Sequence, residues 1–324
     1  MHTSAGNSAA SGLHDALDIA PEVAAALAAR RPVVALESTL ISHGLPYPQS
    51  VQVARAAEAA VRESGAIPAT IGINAGRIIV GLDGAQLVTL ATTGGVMKAA
   101  RPSLSLAVAG GGWAATTVSA TMIAAEVAGI GVFATGGIGG VHRGALGIHG
   151  SSARPTLDIS SDLEELARTP VAVVCAGPKA ILDVPATLEY LETRGVPVVA
   201  VGTDEIPGFW SQKSGIPAPA SVQDVAAAAR LVATHTALGL GSGLLLCVPV
   251  PAADEYPLAE ARAAVDRAIA DAEAAGIEGP ALTPWLLARV AEITGGGSVR
   301  ANVALIVNNA RFAGQLAAAL AGMK

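Results

Sequence analysis

Apolar runs of strand length alternate along the chain with Ala-rich stretches of helical periodicity. Pro32 to Leu36 is a continuous apolar run that ends at Glu37. Val171 to Ala176, Val196 to Val201 and Leu244 to Val250 are runs of the same kind, and Gly131 to Ala134 is a shorter one ending at Thr135. Uninterrupted runs of this length suit strands buried on both faces. Ala69 to Ala75, Arg77 to Gly81 and Leu87 to Leu90 read as short strands separated by Gly-containing turns. Helices are predicted for Pro21–Arg30, Ser50–Glu63, Ser119–Ala128, Ala180–Arg194, Val222–Ala237, Leu258–Ala275, Pro284–Thr294 and Asn302–Gly322. A further helix starts behind Ser160 or Ser161, N-cap candidates ahead of Glu164 and Glu165. Lys98 follows Gly94-Gly95 and is placed on a short helix, Leu104 to Ala109 reads as a buried segment, and Leu146 to Leu157 reads as a polar loop.

Strand–helix alternation throughout predicts an α/β fold, a largely parallel sheet flanked by helices. One compact domain is expected over residues 21–324, behind a flexible leader at 1–20. That leader is rich in Ser, Ala and Gly and lacks the basic start and apolar stretch of a signal peptide. Glu37, Thr135 and Lys179 all follow predicted strands. Ligands of open α/β sheets bind outside the carboxyl ends of the strands, so these three residues are expected near one another.

Composition narrows the classes. The chain is 52% hydrophobic, 14% charged and 3% aromatic, which gives an aliphatic core and a surface sparse in charge, as expected of an oligomer. A net charge of −6 and no basic stretch argue against nucleic acid as a partner. No uninterrupted apolar run reaches membrane-spanning length; Ser119 to Val132 comes nearest and contains Glu126. Cys175 and Cys247 sit in apolar runs and read as buried, reduced thiols, consistent with a cytoplasmic protein.

Only four lysines occur, Lys98, Lys179, Lys213 and Lys324, against sixteen arginines. Positions that keep lysine are therefore enriched for those that need an amine, because lysine can lose its proton and form a Schiff base and arginine cannot. Lys213 reads as a surface charge and Lys324 as a C-terminal residue without chemistry. Lys179 follows the Gly177-Pro178 turn at a strand end. It is either an amine nucleophile or an exposed lysine at a helix start. Lys98, with Arg101 three residues on, is either an anion ligand or a surface residue. Glu37, with apolar residues around it, is either a proton donor and acceptor or a structural carboxylate bonded to backbone or to Ser38. Asp158 and Asp162 straddle a helix start; one suits a hard cation and the other a sugar hydroxyl, or both are plain helix N-terminal charge. Gly136-Gly137-Ile138-Gly139-Gly140 matches neither dinucleotide nor Walker spacing. His43 and His142 stand alone near glycine turns, with no paired ligand spacing.

Five stretches in order carry a more specific signal: ALESTLISHGLPYPQ from Ala35, ATIGINAGRIIVGL from Ala69, GVFATGGIGGVHRGA from Gly131, DISSDLEELA from Asp158 and VVCAGPKAILD from Val173. Together they resemble the pseudouridine-5′-phosphate glycosidase family, from about Pro32 to near the C-terminus. The resemblance implies cleavage of the C–C bond of pseudouridine 5′-phosphate to uracil and ribose 5-phosphate, a divalent cation, typically Mn2+, and a homotrimer. It implies Lys179 as nucleophile, Glu37 as proton donor and Asp158 as the metal-binding residue. By the same resemblance Lys98 binds phosphate, and Thr117, Val118, Ser160, Ser161 and Asp162 line the ribose phosphate site. His142 would lie near the phosphate, and Thr135 and Asn302 near uracil. Two stretches depart from the family pattern: a longer loop from Leu146 to Pro155, and Gly110-Gly111-Gly112-Trp113. Two alternatives are an indigoidine-cluster glycosidase with a different phosphorylated substrate, and a non-catalytic sugar-phosphate-binding protein. Retention of both Glu37 and Lys179 disfavours the second.

Overall fold

The computed structural model describes residues 12–147, 155–277 and 282–323. Strand β1 (Leu17–Ile19) is followed by helix α1 (Pro21–Ala28) and β2 (Val33–Leu36). Then come α2 (Gln49–Glu63), β3 (Ile67–Asn74), β4 (Arg77–Val80), α3 (Gly84–Thr92), β5 (Met97–Ala99), α4 (Leu104–Gly110) and β6 (Ala114–Thr116). The middle of the chain gives α5 (Val118–Ala128), β7 (Val132–Ala134), β8 (Val141–His142), α6 (Ser161–Leu166), β9 (Ala172–Cys175), β10 (Leu182–Asp183), α7 (Val184–Thr193) and β11 (Val198–Val201). β12 (Ala220–Val222), α8 (Val225–Leu238), β13 (Leu244–Cys247), α9 (Leu258–Ala275), α10 (Leu282–Ile293) and α11 (Gly297–Gly322) complete it.

The main sheet runs β1-β4-β3-β2-β7-β9-β13-β11-β12, with β6 branching from β3 and β5 pairing with β6. Every pairing from β3 through β2, β7, β9, β13 and β11 to β12 is parallel, and β3–β4 and β3–β6 are antiparallel. The predicted class, a largely parallel sheet between helices, is the observed one. Alternate residues of each central strand point to opposite faces. Val34, Leu36, Val132, Ala134, Val174 and Leu246 pack under α2, α8, α9 and α11. Val33, Ala35, Phe133, Val173, Cys175 and Leu245 pack under α1, α5, α6 and α7 on the other side. Both faces are dry, which is why these strands are unbroken apolar runs. Helix α11 has the length and apolar composition of a membrane span. Half of its most apolar stretch is buried against protein, and it packs on α2, β7 and β9 as a core helix.

Several expectations are corrected. Leu17–Ile19 falls in the expected leader but pairs in parallel with β4, and Leu17 is buried. Arg77 fastens this edge by donating to the carbonyls of Asp15 and Leu17. Residues 1–11 of the expected leader and Lys324 lie outside the described residues. Leu87–Leu90 is helical within α3. The signal overlooked was the capping box at its start. Asp83 accepts from the N–H groups of Ala85 and Gln86, both at 2.8 Å, and the Gln86 side chain accepts from Asp83 N–H at 2.9 Å. Lys98 lies on strand β5, not a helix, because Met97–Ala99 pairs in register with β6. Leu104–Ala109 is helical and mostly exposed, with only Ala107 buried. Helix α7 begins after Asp183, which caps it, because Leu182–Asp183 first pairs antiparallel with β8. Of the lengthened loop, residues 148–154 lie outside the described residues. Gly111 ends α4 in the left-handed conformation (φ 68°), and Gly110–Trp113 lines none of the main pocket.

If Leu17 belongs to the fold, Leu17→Ala lowers unfolding free energy by about 2–3 kcal/mol, as for other buried leucines. Urea denaturation measures this, and an unchanged midpoint would return residues 12–19 to the role of a leader.

Candidate active site

Helices join successive parallel strands, so the carboxyl ends of β2, β7 and β9 stand side by side. In register, Leu36 faces Ala134, and Ala134 faces Val174. The sheet extends from β2 toward β3 on one side and toward β7 on the other, which opens a crevice at this edge. A pocket of about 940 Å³ occupies it. All twelve candidate residues line this pocket: Glu37, Lys98, Thr117, Val118, Thr135, His142, Asp158, Ser160, Ser161, Asp162, Lys179 and Asn302. The other lining residues are mainly apolar, among them Leu40, Leu45, Phe209, Trp210, Leu287 and Ile306.

Glu37 follows β2 and is half-buried. Its two carboxylate oxygens are held separately: Thr135 donates to Oε1 and Thr39 donates to Oε2. Ser38 is not its partner; it accepts from Thr116 N–H at 2.9 Å and so ties the strand end to β6. Thr135 is itself fixed, since its N–H donates to the Val174 carbonyl at 3.0 Å and its carbonyl accepts from Asn309 Nδ2 at 2.9 Å. Asn309 and Asn302 lie on α11, and Ile306 between them packs against Gly136. A carboxyl group fixed at both oxygens and open to a pocket is suited to giving and taking a proton.

Lys179 follows β9 and is half-buried. The turn before it needs glycine: Gly177 has φ 89°. This turn zips to the glycine loop after β7. Ile138 N–H donates to the Gly177 carbonyl and Lys179 N–H to the Ile138 carbonyl, each at 3.2 Å. A Cβ on Gly137 would stand 2.9 Å from the Gly177 carbonyl oxygen and 2.5 Å from the Phe209 ring, so the close approach requires glycine. The loop is thus a packing device that brings the nucleophile candidate into the pocket that Thr135 and Glu37 also line.

The remaining polar residues cluster at the start of α5. Thr117 is its N-cap, and Thr117 N–H donates to the Ala99 carbonyl at 2.8 Å, one residue beyond Lys98. Asp162 is buried, and its carboxylate is committed to backbone. It accepts from Ser119 N–H at 3.0 Å and from Gly139 N–H at 2.9 Å. Ser160 caps α6, accepting from Asp162 N–H at 3.2 Å. Ser161 and Ser119 hydroxyls lie 3.2 Å apart. A helix N-terminus and the Lys98 ammonium together favour an anion. Lys98 lines the pocket and is exposed to solvent. The protein around it and the charge of Lys179 hold its ammonium below the usual lysine range, while Asp162 and Glu37 oppose this. Burial holds the His142 imidazole below its ordinary value, with Asp158 opposing and both lysines adding to the effect. Burial and the Lys98 charge do the same to His43.

Among the described residues, no group of three or more His, Cys, Asp and Glu is placed to hold a metal ion. Asp158 is 41% exposed, and His142 Nδ1 lies 3.9 Å from its Oδ2, too far to occupy it. One open carboxylate beside an anion site does not make a protein cage. It fits a hard divalent ion that keeps most of its water, which needs only one or two carboxylates. Sequence reasoning missed Thr39, Asn309, Phe209 and Trp210. Thr39 stands two residues past Glu37, and Asn309 is an amide on an apolar helix face; these were the available signals. Phe209 has φ 66°, strain that no sequence signal announces.

Comparison with known proteins places this site among relatives. The family model described as Indigoidine synthase A like protein matches residues 22–319. A protein of Methylobacterium nodulans named pseudouridine-5′-phosphate glycosidase is 56% identical over 311 residues, 96% of this chain and 90% of its own. One of the same name from Solibacter usitatus is 56% identical over 301 residues, 93% of this chain and 98% of its own. Among solved structures, a prealnumycin C-glycosynthase in complex with ribulose 5-phosphate superposes with TM-score 0.86 at 41% identity, over 95% of this chain and 97% of its own. An indigoidine synthase A-like protein of Thermotoga maritima gives TM-score 0.83 at 33% identity, again over 95% of this chain and 97% of its own.

Asp162→Asn tests the scaffold role of that carboxylate. An amide sets an N–H group against one of the two backbone donors, leaving a buried donor unpaired, so stability falls by about 1–3 kcal/mol. A urea midpoint within error of wild type would show that Asp162 does not hold these segments.

Proposed function

The chain belongs to the Indigoidine synthase A like family, and on that premise we propose that it is a pseudouridine-5′-phosphate glycosidase. The reaction would convert pseudouridine 5′-phosphate and water to uracil and ribose 5-phosphate through a lysine Schiff base. One observation carries the reading: Glu37 and Lys179, an acid and an amine, line one pocket from the ends of nearby parallel strands. The relatives' names and the sugar phosphate in the C-glycosynthase structure support it.

A C-glycosidic bond has no leaving heteroatom to protonate, so the two-carboxylate route of ordinary glycosidases does not serve. An amine provides another. Glu37, as the acid, gives a proton to the ribose ring oxygen as the Lys179 amine attacks C1′ and the C1′–O4′ bond breaks. The new secondary ammonium returns a proton to the Glu37 carboxylate. The nitrogen lone pair then forms C1′=N, the C1′–C5 bond breaks, and C5 of uracil takes its electron pair and the proton from Glu37. Water adds to the iminium and releases ribose 5-phosphate, and the Lys179 ammonium left behind returns a proton to the Glu37 carboxylate, restoring the starting amine and acid. Arginine at position 179 would supply charge but no nucleophile. Lys98, the α5 N-terminus and Ser160–Ser161 would bind the phosphate and ribose, with Asn302 and the apolar residues around the base. The C-glycosynthase name of the structural relative agrees with the same steps run in reverse.

The reading carries a divalent cation, Mn2+ first, that would neutralise charge near the phosphate; Asp158 would hold it, with water completing its shell. From the family it also carries a cytoplasmic homotrimer; the 14% charged composition supports association, without fixing the number of subunits.

Lys179→Ala and Lys179→Arg should each lower turnover of pseudouridine 5′-phosphate by at least about 1,000-fold, as expected on loss of a covalent nucleophile. Calorimetry should still detect ribose 5-phosphate binding to both variants. Turnover near wild type in either variant would overturn the mechanism.

A further inference from the structure

Resting on the glycosidase reading, the hydrogen bonds around Glu37 raise a question of proton count. The acid must be protonated at one stage and ionised at the next. As the structure stands, Thr135 donates to Oε1 and Thr39 donates to Oε2. Each threonine hydroxyl has a single proton, and both are spent on the ionised carboxylate. When Glu37 gains its own proton, the oxygen that carries it becomes a poorer acceptor, and the threonine hydroxyl facing that oxygen loses most of its hold on it. That hydroxyl then does best to turn to another acceptor.

The two threonines differ in this respect. Thr135 is buried, 4% exposed, and its backbone is pinned through both its N–H and its carbonyl. Thr39 is half-buried, lines the pocket and stands where the chain enters a single π-helical turn, Leu40–Gly44. Its hydroxyl can rotate toward water or substrate in the pocket without breaking another bond. We propose that Thr39 is a positioning residue for Glu37, donating to Oε2 while the carboxylate is ionised and turning away when that oxygen takes a proton aimed at the substrate. Thr135 is the fixed donor and Thr39 the reversible one. Thr135 then holds the carboxyl plane in both protonation states.

The charged groups facing Glu37 come from other elements as well. Lys98 on β5 interacts electrostatically with Glu37, Lys179 lines the same pocket from the turn after β9, and His43 projects from the π-helical turn. A variant at Thr39 leaves all three in place, so a change in the pH profile reports the lost hydroxyl.

The test uses the full chain, pseudouridine 5′-phosphate as substrate, and the pH dependence of kcat/KM. Glu37→Gln first identifies the limb that Glu37 governs. Thr39→Val removes the hydroxyl at nearly constant volume. It should lower kcat about tenfold or more, the usual scale for a misplaced acid–base group, and move that limb to higher pH, because hydrogen bonds to an ionised carboxylate favour it. Ribose 5-phosphate affinity should stay within about threefold, and Thr39→Ser should restore both kcat and the limb. If wild type turns over substrate and Thr39→Val leaves the limb in place, the inference is overturned alone. The same follows if Thr39→Ser fails to restore it while the melting temperature matches wild type. If Thr39→Val does not fold, Thr39→Ala and Thr39→Ser decide between the same outcomes. Wild type without turnover overturns the glycosidase reading, and this inference with it.

Discussion

Asp162 accepts a hydrogen bond from Ser119 N–H through one oxygen and from Gly139 N–H through the other, at 3.0 and 2.9 Å. Those two bonds join three segments distant in sequence: the start of α5, the glycine loop after β7 and the start of α6. Each segment lines the pocket. A buried carboxylate is tolerable only with such charge-assisted partners. With its oxygens committed to backbone, Asp162 is the fastening of the end of the pocket formed by the starts of α5 and α6. Gly139 must lack a side chain for this, since a Cβ there would lie 2.2 Å from Ser160 Oγ and 2.9 Å from the carboxylate.

A second set of constraints holds the acid and the amine. The glycine loop bonds to the Gly177–Lys179 turn, and the buried amide of Asn309 on α11 bonds to the Thr135 and Gly136 carbonyls. Rigid strands set the positions of Glu37, Thr135 and Lys179, and α11 covers them. Such support suits chemistry that depends on placement to within a fraction of an ångström. Leu40, Leu287 and Ile306 line the same pocket and add no charge to it.

Much of this was legible in the sequence because buried parallel strands leave unbroken apolar runs. Pro32–Leu36 and Val171–Ala176 therefore located the strand ends that present Glu37 and Lys179. Scarcity of lysine singled out two residues that line the pocket, Lys98 and Lys179, and one, Lys213, that pairs with Asp204 and Glu205 at the surface. Less legible was what depends on a helix cap or on a partner distant in sequence. Leu87–Leu90 looked like a strand because its apolar spacing is short, and its identity lay in the Asp83–Gln86 capping box. Lys98 follows two glycines, a context shared by turns before helices and before strands; only pairing with β6 decides for a strand. Asn309 carries no spacing signal, since its partner Thr135 is distant in sequence, and Thr39 offered only its place two residues past Glu37.

The central claim is a covalent bond between Lys179 and C1′ of the sugar. Its most direct measurement is reduction with borohydride during incubation of the wild-type protein with ribose 5-phosphate, followed by peptide mass mapping. The account predicts a stable adduct, with the mass of ribose 5-phosphate less one water and plus two hydrogens, on the peptide that contains Lys179 and on no other lysine. An adduct confined to Lys98 or Lys213, or none under conditions of turnover, would contradict it.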